Sequence, residues 1–253
     1  MASTSAEKVL TILLAFTSNK NEMGTVELSE KLGFHKSTVS RLLHVLNSFG
    51  FVQQDPKSKK YILGRSAIDI GEAVNQSFSI QLVNIARPYL DGLRDRIGET
   101  VGFEVMSNGI TTLVYEAKGP SPVHVSFNVG ESLPVHAAAG AKVILAHSHP
   151  DVVDKYIKGR LTRLTPNTIT EFKVFKEHLE EIRQQGVAFD RGEFDIHICA
   201  MAAPVFSHEK AAVASVVIAA PAYKEKSYLE SGTISLLKET AAKISSRLNY
   251  SKD

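Results

Sequence analysis

The residues best suited to contact a polar ligand lie between positions 36 and 44, where hydroxyl side chains are interspersed with basic ones. The set is Lys36, Ser37, Thr38, Ser40, Arg41 and His44. Short hydroxyls and cations are the side chains that reach phosphates and base edges in DNA. This stretch therefore predicts contact with nucleic acid.

These polar residues occupy one face of a predicted helix. Its opposite, apolar face repeats at helical spacing and consists of Val39, Leu42, Leu43 and Leu46. A shorter helix precedes it, and the two are separated at Gly33, so Thr25–Phe49 is typical of a helix-turn-helix. We expect Thr25 to cap the first helix of the pair and to join the DNA contacts.

A basic hairpin is predicted directly after this helix pair. Its strands are Phe51–Gln54 and Lys60–Leu63, and an Asp-Pro turn joins them. The basic residues in or beside the turn are Lys57, Lys59 and Lys60. A basic hairpin beside a recognition helix is suited to phosphate contact, although surface turns are also lysine-rich for solubility alone. A helix capped by Ser5 and ending near Phe16 should complete the small core.

Positive charge gathers at the N-terminal end of the chain. Residues 1–65 hold nine Lys or Arg against five Asp or Glu, and the remainder holds 20 against 22. A domain that neutralises phosphates needs such an excess. The length of 253 residues suits about two domains.

Composition also points to a cellular compartment. One cysteine excludes an internal disulfide framework and suits a reducing environment. The N-terminus lacks the apolar run of a signal peptide, and no stretch approaches the length of a membrane span. We therefore expect a soluble, cytoplasmic protein without a membrane segment.

Several segments resemble the isocitrate lyase regulator (IclR) family of transcriptional regulators. In the first part of the chain they are SAEKVL, HKSTVSRLLHVLNSFGFVQQD and YILG. In the second part they are RPYLDGLRDRIGETV, LPVHAAAGAKVILA, LEEIRQQGVAFDRGE and AMAAPV. They follow the order and nearly the spacing of the family, so the resemblance covers almost the whole chain.

The resemblance implies an α+β protein in three parts. These are an N-terminal winged helix-turn-helix domain at residues 1–65, a connecting helix at 66–79, and a C-terminal GAF-like effector-binding domain at 80–253. The last part should contain an antiparallel sheet flanked by helices and should mediate oligomerisation. The heads of two copies should meet near the connecting helix.

Patterns in the second part agree with alternating helices and strands. The predicted helices are Ile80–Arg96, with a kink or break at Pro88, then Ala137–His147, Asp151–Ile157, 170–186 capped by Thr170, and Ile234–Leu248. The predicted strands are Thr100–Met106, Thr111–Ala117, His124–Phe127, Val187–Phe189, Cys199–Phe206 and Ala214–Ala220.

The resemblance also implies an effector site. In the family, backbone amides at a helix N-terminus receive an effector carboxylate, and the matching residues here are Ala139, Gly140 and Ala141. Asp190 matches an acidic pocket residue, while Glu193, on the same segment, either lines the pocket or lies in a solvated turn. His136 should be structural or lie at the edge of the pocket.

Three positions depart from the carboxylate-binding members, which have a cysteine and two hydroxyl residues there. This chain has Ala200, Val217 and Ala219 instead. An apolar wall favours ligands that bury carbon, so we expect an acid more apolar than glyoxylate or pyruvate, with aromatic acids among the candidates. Phe103, Val105 and Met106 either line this pocket or pack in the core.

No catalytic or metal site is predicted. Cys199 precedes Ala200 by one residue, so it should face the other side of the strand as a buried, inert thiol. His124, His136 and His197 lack the spacing of metal ligands. No cofactor is expected.

These observations predict a transcriptional regulator, a repressor or an activator of a catabolic operon. It would read a palindromic operator on double-stranded DNA as a homodimer or homotetramer and respond to a small organic acid. The first alternative is an enzyme with a winged helix as an interaction module, but no nucleophile, metal cluster or cofactor loop has adequate spacing. The second is an effector-free architectural protein.

Overall fold

A computed structural model describes residues 4–17, 22–107, 109–157, 161–208, 211–228 and 231–248. The chain divides into two compact units, Met1–Phe78 and Ser79–Asp253. Within the described residues, no helix has the length and hydropathy needed to cross a membrane.

The helices are α1 (Ser5–Ala15), α2 (Thr25–Leu32), α3 (Lys36–Ser48), α4 (Arg65–Ile97), α5 (Ala139–Ala146), α6 (Pro150–Ile157), α7 (Phe172–Gln185), α8 (Glu225–Tyr228) and α9 (Ser231–Arg247). The strands are β1 (Val52–Gln54), β2 (Tyr61–Leu63), β3 (Thr100–Ser107), β4 (Ile110–Ala117), β5 (Ser132–Leu133), β6 (Ala188–Arg191), β7 (Ile198–Phe206) and β8 (Ala212–Pro221). A 3-10 turn at Ala222–Lys224 precedes α8.

The first unit is a three-helix head with a two-stranded hairpin. Its helices bury one apolar core, whose fully enclosed members include Ile12, Leu28, Val39 and Leu43. The left-handed backbone of Gly33, with φ of 68°, ends α2 and allows α3 to start three residues later. The helix-turn-helix prediction therefore agrees with the local geometry.

The predicted helix caps are each displaced by one residue. The observed N-caps are Thr4, Gly24 and Glu171, in place of Ser5, Thr25 and Thr170. At the first helix a reciprocal capping box accounts for the shift: the Thr4 hydroxyl accepts the Glu7 amide at 3.2 Å, and the Glu7 carboxylate accepts the Thr4 amide at 2.6 Å. Glu27 likewise accepts the Gly24 amide at 2.8 Å.

The hairpin closes against the helices through backbone contacts. Strands β1 and β2 pair in antiparallel register, and Met23 adds a bridge to Tyr61 with hydrogen bonds of 3.0 and 2.9 Å. At its base, a Cβ on Gly64 would overlap the carbonyl oxygen of Gly50. Only glycine allows this close backbone approach.

The connecting helix predicted at 66–79 and the helix predicted at Ile80–Arg96 form one continuous helix. Helix α4 runs for 33 residues and contains Pro88, so of the two alternatives, a kink or a break, the break is wrong. Its residues from Leu82 to Leu93 belong to the core of the second unit. The division between the two units, at Phe78 and Ser79, falls inside this helix.

The second unit contains a six-stranded antiparallel sheet in the order β5-β4-β3-β8-β7-β6. One face packs against α4 and α9 through residues such as Leu90 and Leu237. The other face packs against α5 and α7 through residues such as Ile144 and Phe175. Because successive residues of a strand alternate between faces, β3, β6, β7 and β8 contribute to both cores.

The predicted strand at His124–Phe127 does not form. Side chains hold this segment instead of a ladder: the Thr100 hydroxyl donates to the Val125 carbonyl at 2.5 Å, and Glu116 accepts the Phe127 amide at 2.7 Å. The Phe127 ring covers Gly102. The edge strand is β5, which is too short to be recognised from sequence.

We expect Gly64→Ala to destabilise the head by about 1–3 kcal/mol, because the added methyl group must displace the Gly50 backbone. Gly92→Ala, in the second half of α4, is the matched control. Nothing lies within 4 Å of its new Cβ, and alanine should leave stability unchanged or raise it by up to about 1 kcal/mol. Urea unfolding followed by circular dichroism measures both, and equal effects of the two substitutions would contradict this packing account.

Candidate functional site

The polar face of α3 is free for contact in the head. Its apolar face is buried, while Lys36, Ser37, Ser40, Arg41 and His44 are exposed and Thr38 is partly exposed. The Ser37 hydroxyl lies 2.8 Å from the His35 ring nitrogen, which fixes it at the first turn of the helix. Thr25 is partly exposed at the start of α2.

The tip of the hairpin is held by its own hydrogen bonds. One Asp55 carboxylate oxygen accepts the Lys57 and Ser58 amides at 2.9 and 2.6 Å, and Lys59 adopts a left-handed backbone with φ of 58°. Lys57 and Lys59 are exposed there. Lys60 differs, because its ammonium donates to Glu22 at 2.9 Å and this contact raises the pKa of Lys60.

In the second unit, the α5 face of the sheet gathers most of the predicted effector residues. Asp190 pairs with Ala200, Ala200 with Ala219, and Ala202 with Val217 across neighbouring strands. The first turn of α5, formed by residues 139–141, is buried on this face. Met106 also packs there.

Phe103 lies on the other face of the sheet. It is fully buried with Leu90 and Leu237, and Val105 shares this core. The period of two along β3 sends these side chains away from α5. Phe103 therefore does not join the candidate site, which corrects its inclusion in the predicted pocket.

His136 has a structural partner. Its ring is buried, and its Nε2 atom lies 2.7 Å from the Thr162 carbonyl oxygen. This contact ties the segment before α5 to the loop that precedes α7.

A buried ion pair anchors the first turn of α5. The Lys142 side chain is fully enclosed, and its ammonium donates to the Glu193 carboxylate at 2.5 Å and to the Phe189 carbonyl at 2.6 Å. Burial lowers the pKa of Lys142, and the charge of Glu193 opposes this effect. Glu193 is thus an internal partner of a lysine, not part of a solvated turn.

Asp190 organises the turn that carries Glu193. One of its carboxylate oxygens accepts the amides of Glu193 and Phe194 at 2.6 and 3.3 Å. Burial raises the pKa of Asp190 to about 6, against the opposing effect of these hydrogen bonds. Its carboxyl group also acts electrostatically on Glu104.

Glu104 was missed by the sequence reasoning. It is only 2% exposed, on the α5 face of β3, directly opposite Ser215. Burial, with a contribution from the charge of Asp190, raises the pKa of Glu104 to about 8. The available signal was a carboxyl group inside an otherwise apolar strand, TVGFEVMS, just as Lys142 interrupts the apolar AGAKVILA.

Cys199 faces away from this site. Its thiol is buried and donates to the Ala220 carbonyl at 3.5 Å, and burial raises the pKa of this thiol to about 11. A thiol held in its neutral form is a poor nucleophile. In the parts of the chain that the structure describes, no three His, Cys, Asp or Glu side chains form a group that could hold a metal ion.

Two family models match the chain. Residues 5–56 match the IclR helix-turn-helix domain, and residues 76–246 match the C-terminal domain of bacterial transcriptional regulators of the IclR type. The chain belongs to the IclR family. It is therefore a DNA-binding transcriptional regulator and not an enzyme.

Characterised IclR-family relatives resemble the chain over nearly its whole length. The DNA-binding transcriptional repressor YiaJ of Escherichia coli is 32% identical over 94% of this chain and 86% of its own. The repressor AllR of Salmonella paratyphi A is 26% identical over 96% of this chain and 89% of its own.

Solved IclR structures share the fold. The Thermotoga maritima IclR is 30% identical with a TM-score of 0.65, and covers 97% of this chain and 99% of its own. A Microbacterium hydrocarbonoxydans homologue, solved with 4-hydroxybenzoate, is 20% identical with a TM-score of 0.63, over 97% and 99% of the two chains.

We expect the stability of the protein to fall as pH rises from about 5 to 8, and Glu104→Gln to remove much of this fall. A carboxyl group whose pKa is raised in the folded state contributes stability that is complete below its unfolded pKa of 4.5 and is lost as pH rises through about 8. The slope due to one such group is limited to about 1.4 kcal/mol per pH unit.

Chemical unfolding at several pH values measures this slope. The matched control is Glu177→Gln, since Glu177 is exposed on α7 and should leave the slope as in the wild type. A residual slope below about pH 6 is expected from Asp190, whose pKa is also raised. Identical slopes for wild type and Glu104→Gln would contradict a buried, neutral carboxyl group.

Proposed function

We propose that this IclR-family regulator binds a palindromic operator as a homodimer or homotetramer and that a small organic acid controls its binding. The observation that carries the proposal is the division of α3 into a buried apolar face and an exposed face of hydroxyls and cations. Such a helix fits the major groove, where arginine recognises guanine with two hydrogen bonds.

In this proposal each exposed residue of the head has a role. Ser37, Thr38, Ser40 and Arg41 read base edges, and the remaining predicted DNA contacts hold the phosphate backbone. These backbone contacts are Thr25, Lys36, His44, Lys57, Lys59 and Lys60. Lys60 must exchange its ion pair with Glu22 for a phosphate, so it should contribute less than Lys57 and Lys59 at the exposed tip of the hairpin.

The effector site is proposed at the first turn of α5. The amides of Ala139, Gly140 and Ala141 stand at a helix N-terminus, which favours a carboxylate. Ala200, Val217 and Ala219 supply apolar contacts for the carbon skeleton, and Asp190 and Met106 lie on the same face. The Microbacterium protein with 4-hydroxybenzoate is consistent with an organic acid in this fold.

Self-association is proposed along α4. Its N-terminal half, which belongs to the first unit, leaves large apolar side chains exposed: Ile68, Ile70, Val74 and Phe78. Leu10 and Leu14 of α1 are likewise more than half exposed. Apolar residues left in water on a long helix favour a second copy of the chain, and a two-fold dimer matches a palindromic site.

We further propose that the protein acts in the cytoplasm as a repressor of genes that consume its effector. The names of YiaJ and AllR support repression. An acid that binds one arrangement of the two heads more tightly than another would shift the equilibrium between them and so change the fit to the two half-sites. In this scheme, the acid lifts repression of the operon whose enzymes degrade it.

Arg41→Ala tests the head of the proposal. Wild-type protein is used to enrich duplexes from a random pool, and fluorescence anisotropy then gives the Kd for the enriched duplex and for a scrambled one. We expect an inverted repeat in the enriched sequence, and a Kd for it that rises about 5- to 150-fold in Arg41→Ala, because one base contact is worth about 1–3 kcal/mol.

Lys173→Ala is the matched control for loss of one positive charge, since Lys173 is exposed on α7, outside the head. It should bind the enriched duplex as the wild type does. An enriched sequence without two-fold symmetry, or an unchanged Kd for Arg41→Ala, would refute the proposed mode of operator recognition.

A further inference from the structure

Three buried polar side chains on the α5 face of the sheet lack hydrogen-bond partners among the described residues. They are Glu104 through Oε2, Thr111 through Oγ1 and Ser215 through Oγ. Glu104 and Ser215 are opposite each other on β3 and β8, and Thr111 is opposite Met106 on β4. Cross-strand partners share a face, so all three side chains lie on the side that packs against α5.

Two of these groups are aimed at the first turn of α5. A Cβ placed on Gly140 would overlap the Glu104 carboxyl group, with its Cδ at 2.5 Å, and would lie 2.6 Å from the Ser215 Oγ atom. Gly140 is the second residue of this eight-residue helix. The unpartnered groups therefore adjoin the amides proposed to hold the effector carboxylate.

Without hydrogen-bond partners, these buried polar groups destabilise the folded state. A buried donor or acceptor that forms no hydrogen bond costs about 1–3 kcal/mol, and folded proteins keep such groups rare. Here Glu104 is 2% and Ser215 0% exposed, so bulk water does not satisfy them. A bound molecule with its own polar groups would remove this cost.

The two side chains define what that molecule must offer. A protonated carboxylic acid donates one hydrogen bond and accepts others, and a serine hydroxyl does the same. A ligand hydroxyl is complementary to both, since it also donates and accepts. A methyl or methylene group at that place would leave both buried groups unpaired, which is the contrast that lets a polar site reject a deoxy analogue.

We infer that the effector is a hydroxylated organic acid, with Glu104 and Ser215 as the residues that select its hydroxyl group. This inference rests on the proposed function, because it places the effector carboxylate at residues 139–141. The apolar Ala200, Val217 and Ala219 then contact the carbon skeleton. The polar groups that select the ligand are Glu104 on β3 and Ser215, which precedes Val217 and Ala219 on β8.

Binding of matched acids to the full-length protein tests the inference. The probes are three pairs that differ by hydroxylation: lactate and propionate, gluconate and hexanoate, and 4-hydroxybenzoate and benzoate. Isothermal titration calorimetry gives each Kd for wild type, Glu104→Leu, Glu104→Gln and the exposed control Glu177→Gln. Circular dichroism confirms that each variant is folded.

We expect at least one hydroxylated acid to bind the wild type and Glu177→Gln at least tenfold more tightly than its deoxy partner. In Glu104→Leu the two members should bind equally, because the selecting group is gone. Glu104→Gln keeps polar atoms in a side chain of similar shape, so it should retain part of the preference for the hydroxylated acid. This variant keeps the test valid if Glu104→Leu does not fold.

Two results would overturn the inference and leave the proposed function standing. One is equal binding of hydroxylated and deoxy acids by the wild type, as expected if ordered water satisfies the cluster. The other is an undiminished preference in both Glu104 variants. If no acid of the six binds the wild type, the proposed organic-acid effector fails, and the inference fails with it.

Discussion

The second unit depends on one buried ion pair, between Lys142 on α5 and Glu193 in the turn after β6. Lys142 is fully enclosed, and its ammonium contacts both the Glu193 carboxylate and the Phe189 carbonyl. Removing two charges from water is costly, and the pair is tolerated because its geometry is close and the ammonium also donates to the Phe189 carbonyl. Asp190 supports it by accepting the amide of Glu193 itself.

This pair positions the residues of the proposed effector site. It holds the first turn of α5 against β6, and the sheet register then brings Ala200, Val217 and Ala219 beneath the helix. The same packing buries Glu104 against Gly140, where burial keeps its carboxyl group protonated near neutral pH. The anchor therefore supports the proposed effector site, where amides at a helix N-terminus, apolar side chains of the sheet and a buried carboxyl group lie side by side. In the head, by contrast, the proposed operator contact depends on the exposed face of one helix.

Sequence periodicity predicted most of the elements because strong amphipathic patterns dominate both units. Helix α3 and strands β7 and β8 were anticipated within a few residues. Side-chain hydrogen bonds account for the misses. The capping box of Thr4 and Glu7, a T-x-x-E pattern present in the sequence, moves a helix cap, and Thr100 and Glu116 hold a predicted strand out of the sheet. Hydrophobicity alone does not give strand phase, so the sequence leaves pocket lining and core packing open for Phe103 and Met106; Phe103 packs in the core and Met106 lies on the α5 face. Glu104 and Lys142 were overlooked as partners because their environment arises only from tertiary packing.

A double-mutant cycle on Lys142 and Glu193 tests the central claim that this pair anchors the site. The free energy of unfolding is measured for wild type, Lys142→Met, Glu193→Leu and the double variant. Each single substitution leaves an unpaired buried charge and should cost about 3–5 kcal/mol, while the double variant should recover much of that loss. A coupling energy of about 2 kcal/mol or more is predicted. Additive effects, with coupling below about 0.5 kcal/mol, would contradict the account.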